Sequence, residues 1–355
     1  MSSKAYTFEH LNSAVARHTA VTVKKTRSGS AIFTEYGARL LGLFPDKSLP
    51  NVLWNPEKIG ESVAEKKWGI GGERLWISPE RNFYYENPRD FEGHHVPPGM
   101  DPGRYVTTGA LKYRNSFSVF DYVKNQAYDD CSAERMFAMI DDPYKTKLDY
   151  AGVRIVDSMI IGVPHFPMCC WSLGMVYTCG TERPGTAFFP IKKGATFLSY
   201  FNKIPAHRAE PLVDYVRFRI DASEIYKLAI APEDIDTANP CKAVYVSPYP
   251  SGKKWFCVIK RSTDLPRNQK ECVDPAKGNP EGPKGAIQSY NSGPKPGEVY
   301  WPFGEIELQL SKGVTKGKST VSKATHELLS YAGEKDEILA LAQKALRIGS
   351  TPEIY

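Results

Sequence analysis

The sequence predicts an all-β fold that ends in a helical appendage. Short stretches rich in β-branched and aromatic residues recur between Gly, Pro and Asp, which is typical of sheet strands. No internal repeat of about 20 to 50 residues is visible, which disfavours a propeller or a solenoid. Helical spacing begins only after Lys318. We therefore expect one large β domain over residues 1–318 and a helical appendage over residues 319–355, packed on that domain.

The predicted strands share this punctuated pattern and lie at residues 31–36, 152–161, 172–178, 215–220, 243–247 and 255–260. Arg217 and Arg219 lie on one face of their strand because successive side chains alternate between faces. Residues 274–297 contain five prolines and five glycines. We expect a long surface loop there, either a border of a binding site or a disordered segment. Residues 286–291 within it offer stacking and hydrogen-bonding groups.

The C-terminal tail shows the spacing of two helices, at residues 322–331 and 334–348, separated by Gly333. Leu339, Ala342 and Leu346 form an apolar stripe on the second helix. Such a stripe is typical of docking against the protein's own sheet. It could also serve oligomerisation, and the sequence does not decide the oligomeric state.

Composition excludes several classes of protein. The 46 Lys and Arg residues against 40 Asp and Glu residues give a net charge of +6 without a basic patch, so nucleic acid is not an expected partner. No apolar run reaches the length of a membrane span. The seven cysteines lack metal-site spacing, and we expect reduced thiols. Residues 1–20 lack an apolar signal core, so we expect a cytoplasmic protein unless a leader was removed. We expect neither a cofactor nor a metal.

Residues 71–80 combine a glycine pair with Arg74, Trp76 and Glu80. Glycines allow tight turns and close backbone approach. Arg74 and Glu80 could bind hydroxyl groups in bidentate geometry beside the flat ring of Trp76. This combination predicts a carbohydrate site. The other interpretation is an Arg–Glu ion pair that holds a loop beneath a half-buried tryptophan.

Residues 303–310 alternate between polar and apolar side chains with the period of a β-strand, so Glu305, Glu307 and Gln309 share one face. Carboxylates about 7 Å apart on that face interact electrostatically, and one of them acquires a raised pKa if the surface is partly closed to water. A general base could arise in this way. An ordinary solvent-facing strand would show the same alternation.

The two segments, together with residues 37–44 and 51–54, resemble in order and spacing the galactose mutarotase-like β-supersandwich proteins, most nearly a poorly characterised bacterial branch of them. The resemblance spans about residues 31–310. In the aldose 1-epimerases of this family a late strand carries a Glu-x-Gln motif whose Glu is the catalytic base. Residues 307–309 are similar to that motif, which implies Glu307 as the base, with Glu305 adjusting its pKa, and Gln309 beside the substrate.

One departure from the family concerns the proton donor. The epimerases supply it from a histidine segment that this sequence lacks, so the acid stays unassigned. His94 and His95 lie in a Pro/Gly-rich stretch and could reach a cleft, although structural or surface histidines are common. Lys227 and Arg261 are weaker candidates for ligand binding, since either could be solvated.

The resemblance implies a carbohydrate ligand and aldose 1-epimerase-like interconversion of anomers by general acid and base catalysis. A polysaccharide lyase or glycoside hydrolase on the same scaffold, or a non-catalytic glycan-binding protein, stays open because fold does not fix function. Chain-end products separate these classes, since a lyase creates an unsaturated end, a hydrolase a reducing end and an epimerase neither.

Overall fold

A computed structural model describes residues 5–295, 297 and 299–355 of the chain. Two large antiparallel sheets, of nine and eleven strands, pack face to face, and a two-stranded hairpin lies apart from them. The all-β fold predicted from the sequence is confirmed. The chain also carries a C-terminal helix, as expected.

The strands of the first half of the chain are β1 (Val21–Lys25), β2 (Ser30–Thr34), β3 (Arg39–Phe44), β4 (Glu73–Ser78), β5 (Tyr85–Asn87), β6 (Glu92–His94), β7 (Val106–Gly109), β8 (Lys112–Asp121), β9 (Gln126–Met139), β10 (Asp149–Ile161) and β11 (Cys169–Val176). Those of the second half are β12 (Gly185–Pro190), β13 (Leu198–Ser199), β14 (Ala209–Pro211), β15 (Tyr215–Ile220), β16 (Tyr226–Ile230), β17 (Cys241–Pro248), β18 (Trp255–Ser262), β19 (Ile287–Asn291), β20 (Gly304–Lys312), β21 (Val314–Lys316) and β22 (Ser319–Gly333).

In the part of the chain that the structure describes, four α-helices accompany the sheets: α1 (Phe8–Ala16), α2 (Ile59–Ala64), α3 (Glu80–Phe83) and α4 (Lys335–Leu346). Helix α4 begins at a capping box, in which Glu334 and Glu337 satisfy each other's backbone N–H groups. Its apolar side packs on the outer face of the eleven-stranded sheet. Among the described residues, no helix has the length and apolar character needed to cross a membrane.

The nine-stranded sheet runs β1-β2-β3-β4-β11-β20-β19-β16-β13, and the larger sheet runs β14-β15-β12-β17-β18-β22-β10-β9-β8-β7, with β21 paired to β22. The main core lies between the two sheets. On β20, Ile306, Leu308 and Leu310 point into that core. Glu305 and Glu307 consequently point to the opposite face, as the alternation predicts.

The strands predicted from the sequence coincide with β2, β10, β11, β15, β17 and β18, and all seven cysteines are free thiols. Two predictions of local structure are wrong. Residues 322–331 are not helical but belong to β22, the long strand between β18 and β10, so the helix of the tail is α4 alone. The predicted loop at residues 274–297 contains β19, whose pairing with β16 and β20 overrides the local Pro and Gly content.

A buried ion cluster joins the two sheets. Arg135 of β9 donates to Glu73 of β4 at 2.6 Å and to Asp157 of β10 at 2.8 Å. His326 of β22 contacts the same Asp157 at 2.9 Å. Burial raises the pKa of Asp157, but the charge of Arg135 and the hydrogen bond from His326 outweigh it and lower the pKa to about 2. Asp157 therefore stays ionised, and the cluster is a fixed electrostatic link.

We expect Arg135→Met to destabilise the protein by about 3–5 kcal/mol, because it leaves Glu73 and Asp157 buried without their cation. Arg154→Met on the neighbouring strand is the matched control, since its ion pair with Glu327 is half exposed and contributes about 1 kcal/mol or less. Urea denaturation measures both free energies of unfolding. Equal losses in the two variants would contradict the structural role of the cluster.

Candidate functional site

Strand register brings the predicted site residues together on the outer face of the nine-stranded sheet. Tyr290 of β19 lies opposite Lys227 of β16 on one side and opposite Glu305 of β20 on the other. Arg74 of β4 and Glu307 of β20 lie opposite the same residue of β11. Side chains far apart in sequence therefore form two adjacent rows on one face.

The glycine pair before β4 forms a tight turn that packs closely against neighbouring backbone. Gly71 and Gly72 adopt positive φ angles of 78° and 76°. A Cβ atom on Gly71 would lie 1.9 Å from the carbonyl oxygen of Trp54, and one on Gly72 would lie 2.6 Å from that of Leu40. Only glycine fits both requirements. The turn packs the segment around Trp54 against the start of β4.

A cavity of about 540 Å³ opens above these rows. Aromatic rings surround it, each with its centroid 4.3–6.3 Å from the next, and the last ring contacts the first. We call this closed set the aromatic collar; in order, it consists of Trp68, Trp301, Trp54, Phe303, Tyr290, Phe201, Phe91, Tyr85 and His94. All of its members except Trp54 line the cavity.

Arg74 forms part of the cavity floor. Its Nη2 lies 2.8 Å from Glu305 Oε1, and its guanidinium group lies over the ring of Trp76, 4.3 Å from the centroid. The Trp76 indole is fixed in turn, because it donates to Asp101 at 2.6 Å and stacks on Tyr84. Arg74 Nε and Nη1 are buried and have no hydrogen-bond partner among the described residues. Two donor nitrogens of a residue that lines the cavity therefore lack a partner.

Lys227 connects two carboxylates. Its Nζ lies 2.7 Å from Glu80 Oε2 and 3.4 Å from Glu307 Oε2, and it lies over the Trp171 ring at 4.4 Å. Burial lowers its pKa, but the charges of Glu307 and Glu80 outweigh this and raise it. Lys227 is therefore a permanent cation. Tyr85 donates to the other oxygen of Glu80 at 2.8 Å, which fixes that carboxylate at the cavity wall.

Glu307 lies one side chain behind the cavity wall. Its Oε2 accepts a hydrogen bond from Trp171 Nε1 at 2.9 Å, and its Oε1 is buried without a partner. Burial raises the pKa of Glu307 to about 7; the charge of Lys227 opposes this increase, and those of Glu305 and Glu80 add to it. A carboxyl group with this pKa exchanges protons readily near neutral pH.

Asp274 is a second buried carboxyl group with a raised pKa. It accepts hydrogen bonds from the backbone N–H of Glu80 at 2.7 Å and from Gln288 Nε2 at 2.8 Å. Burial raises the pKa of Asp274 to about 6. The positive charge of Lys227 opposes this increase, and the negative charge of Glu80 adds to it. Asp274 thus holds the helix start that carries Glu80. Its position at the edge of a predicted loop was the single signal for Asp274 available from the sequence.

Some of the predicted site residues line the cavity and others do not. Six of them line the cavity: Arg74, Trp76, Glu80, His94, Lys227 and Glu305. Arg74 and Glu80 have different partners, so the Arg–Glu ion pair of the alternative interpretation does not form.

The remaining predicted residues lie away from the cavity surface. Glu307 lies behind the wall, and Gln309 is deeper, with its Oε1 accepting from the Cys169 thiol at 3.0 Å. His95 packs beside Tyr122 outside the cavity, and Arg261 pairs with Glu327 on the other sheet.

Sequence reasoning missed most of the aromatic collar. Five of the six tryptophans lie in the collar or on the floor, and only Trp255 lies elsewhere. The available signal was the placement of aromatic residues in irregular segments, such as Trp301 and Phe303 beside a proline. Loops carry binding residues often, but a single aromatic residue in a loop does not reveal which surface it joins.

Within the described residues, Glu73, Asp157 and His326 have the spacing of a metal-binding group. The guanidinium group of Arg135 contacts both carboxylates at hydrogen-bond distance and supplies the positive charge there. Arg135 thus occupies the place that a metal ion would need. Charge repulsion by this guanidinium group disfavours a metal ion at these three residues.

Comparison with known proteins finds similarity in structure alone. No protein-family model matches the chain, and no curated protein matches its sequence. An unconfirmed mutarotase from Salmonella typhimurium has 11% identity and a TM-score of 0.42, with 90% of this chain and 92% of that chain covered. An unconfirmed aldose 1-epimerase from Escherichia coli K12 has 9% identity and a TM-score of 0.42, with 89% and 99% covered.

A galactose mutarotase-like protein from Lactobacillus casei ATCC 334 is similar at 10% identity and a TM-score of 0.38, with 88% of this chain and 99% of that chain covered. Sequence identities this low do not allow residue roles to be transferred from these proteins. The roles of individual residues are therefore argued from the geometry of this chain.

We expect stability to fall as pH rises from about 5 to about 8. The pKa values of Glu307 and Asp274 are raised from 4.5 and 3.8 to about 7 and about 6, so the folded chain holds protons that the unfolded chain has released. This stabilisation is present at low pH and is lost as pH rises through the folded-state values. Urea denaturation at several pH values measures it.

Glu307→Gln should flatten this pH dependence by about 1–3 kcal/mol, since the amide does not ionise. Glu134→Gln, on a strand of the other sheet, should follow the unmodified protein. If Glu307→Gln kept the full pH dependence, the proton would not reside on Glu307.

Proposed function

We propose that the cavity binds a carbohydrate and that the protein catalyses aldose 1-epimerase-like interconversion of sugar anomers. The observation that carries this proposal is the buried Glu307 carboxyl group, whose pKa is raised to about 7 and which contacts two residues of the cavity wall. A general base works best when its pKa lies near the operating pH. Glu307 combines this property with an oxygen, Oε1, that has no partner.

The lining of the cavity supports a sugar as the ligand. Sugars present apolar ring faces and hydroxyl edges, which require aromatic surfaces and charged hydrogen-bonding groups respectively. The aromatic collar supplies the first, and Arg74, Glu80 and Glu305 on the floor supply the second. Lys277 and Lys295 also line the cavity, so a ligand screen should include acidic sugars beside neutral ones.

The mechanism assigns a role to each group. The Glu307 carboxylate takes the proton of the anomeric hydroxyl, and an acid protonates the ring oxygen, so the ring opens, the carbonyl rotates and closure gives the other anomer. We assign the acid to His94, because it is the histidine that lines the cavity among the described residues. Lys227 is closer to Glu80 than to Glu307, and its movement toward Glu80 would open Glu307 to the ligand.

A second candidate function is sugar binding without catalysis. The observation in its favour is that Glu307 is fully buried, with Lys227 and Trp171 between its carboxylate and the cavity. If these two residues stay in place when the sugar binds, the base has no access to the anomeric hydroxyl. Exchange measurements on the unmodified protein distinguish the two functions.

Glu307→Gln should reduce anomer exchange by about 100-fold or more, because the amide keeps the shape of the side chain but cannot accept the proton. The rate in the unmodified protein should rise with pH and level off above about pH 7, where Glu307 is ionised. Exchange spectroscopy by NMR on reducing sugars measures both effects. Glu134→Gln is the control and should retain full exchange.

Full exchange in Glu307→Gln would reject Glu307 as the base. An unmodified protein that binds sugars without exchanging their anomers would instead support the binding function. The appearance of unsaturated ends, seen by ultraviolet absorbance on polysaccharides, would indicate a lyase.

Arg74→Lys should weaken sugar binding by about tenfold while changing the melting temperature little. Lysine keeps the charge that Glu305 requires but loses the Nε and Nη1 donors, and a charge-assisted hydrogen bond contributes about 1.5–3 kcal/mol. Titration calorimetry and thermal denaturation give the two quantities. Arg217→Lys, on the other sheet, is the control.

A different outcome for Arg74→Lys would assign Arg74 a structural role in place of a ligand-binding role. If the melting temperature fell while the sugar affinity of the folded protein stayed constant, Arg74 would only brace Trp76 and Glu305.

A further inference from the structure

The cavity is built in two tiers of different chemistry. The floor consists of side chains on sheet strands, with Arg74 on β4, Lys227 on β16 and Glu305 on β20. The upper tier consists of the collar rings other than Tyr290, which lies on β19 between Lys227 and Glu305. Several of these rings, such as Phe201 and Trp301, lie in irregular segments outside the strands. Charged groups that suit hydroxyls thus lie below rings that suit apolar faces.

We propose that the site takes the reducing end of an oligosaccharide, with the reducing sugar on the charged floor and the next sugar held inside the aromatic collar. This inference rests on the proposed function, because the floor must act on an anomeric hydroxyl. It goes beyond that function by defining the ligand as a chain end and not a free monosaccharide.

Size and surface both support a second sugar. A cavity of 540 Å³ lies within the range of about 300–1,000 Å³ that encloses most of a drug-sized ligand, a molecule about as large as a disaccharide. A single sugar on the floor would leave the partly exposed collar rings, such as Trp68, Phe201 and Trp301, in contact with water. A second sugar would cover them and gain the burial of apolar area that aromatic side chains provide.

The arrangement of the collar rings also limits the direction from which a glycan chain can enter the cavity. The collar rings that line the cavity form a continuous series of contacts, from Trp301 through Trp68 and Phe91 to Phe303. A glycan chain that lay across the sheet would have to pass through this wall. A chain that enters end-on meets it only at the opening, so the floor receives a terminal sugar.

The test compares matched pairs of probes by titration calorimetry: D-glucose with cellobiose, D-galactose with β-1,4-galactobiose and D-mannose with β-1,4-mannobiose. At least one disaccharide should bind about tenfold or more tightly than its monosaccharide. Phe201→Ala should remove about tenfold of the disaccharide affinity and change the monosaccharide affinity by less than about threefold. Phe120→Ala removes a half-buried ring outside the cavity and should change neither.

A second collar variant, Trp301→Ala, gives the same comparison if Phe201→Ala does not fold. Direction is tested with the alditol of the preferred disaccharide, which keeps the non-reducing ring and lacks the reducing one. It should bind about tenfold more weakly than the disaccharide, and equal binding would overturn the inference of a reducing end.

Equal affinity for the monosaccharide and disaccharide of every pair would overturn the two-tier inference and leave sugar binding intact. Binding neither by the six sugars nor by the acidic sugars of the ligand screen would reject the proposed function together with this inference.

Discussion

The strict alternation of side chains along β4 is the constraint on which the core and the site both depend. Glu73 points inward to Arg135 and the eleven-stranded sheet, and the next residue, Arg74, points outward to Glu305 and the cavity. Neither ion pair can shift along the strand without exchanging the two faces. The buried cluster between the sheets therefore fixes the register that holds Arg74 under the ligand.

Buried carboxyl groups in this protein have different pKa values because their charged partners differ. Asp157 contacts a guanidinium group and has a lowered pKa, whereas Glu307 shares one ammonium group with Glu80, and Asp274 also lies in the field of that ammonium. Burial raises the pKa of Glu307 and Asp274 more than the charge of Lys227 lowers it, so Glu307 keeps a proton part of the time near neutral pH. A site that must hold and release a proton gains from this burial, although ionised Glu307 costs folding free energy.

The sequence predicted features that depend on local period and missed those that depend on strand pairing. The alternation over residues 303–310 placed Glu305 and Glu307 on one face, and the glycine pair marked the turn before Arg74. Residues 322–331 show helical spacing, but pairing with β10 and β18 satisfies their backbone and makes them a strand. Asp274 and most of the aromatic collar were missed because they come from segments joined only by the folded chain, whereas Arg261 was chosen for charge alone and lies on the other sheet.

The candidate site differs from the core in whether a ligand can reach its polar groups, and less in which residue types are present. Ser172, His326 and Asp157 have the composition of a nucleophilic triad, with Asp157 2.9 Å from His326 Nε2 and Ser172 Oγ 3.5 Å from Nδ1. The Ser172 hydroxyl instead donates to Glu73 at 2.6 Å, and all of these groups are fully buried between the sheets. No substrate can reach that hydroxyl. Glu307 is equally buried, but both residues that contact its Oε2 line a cavity, so a movement of side chains alone would connect its proton to a bound sugar.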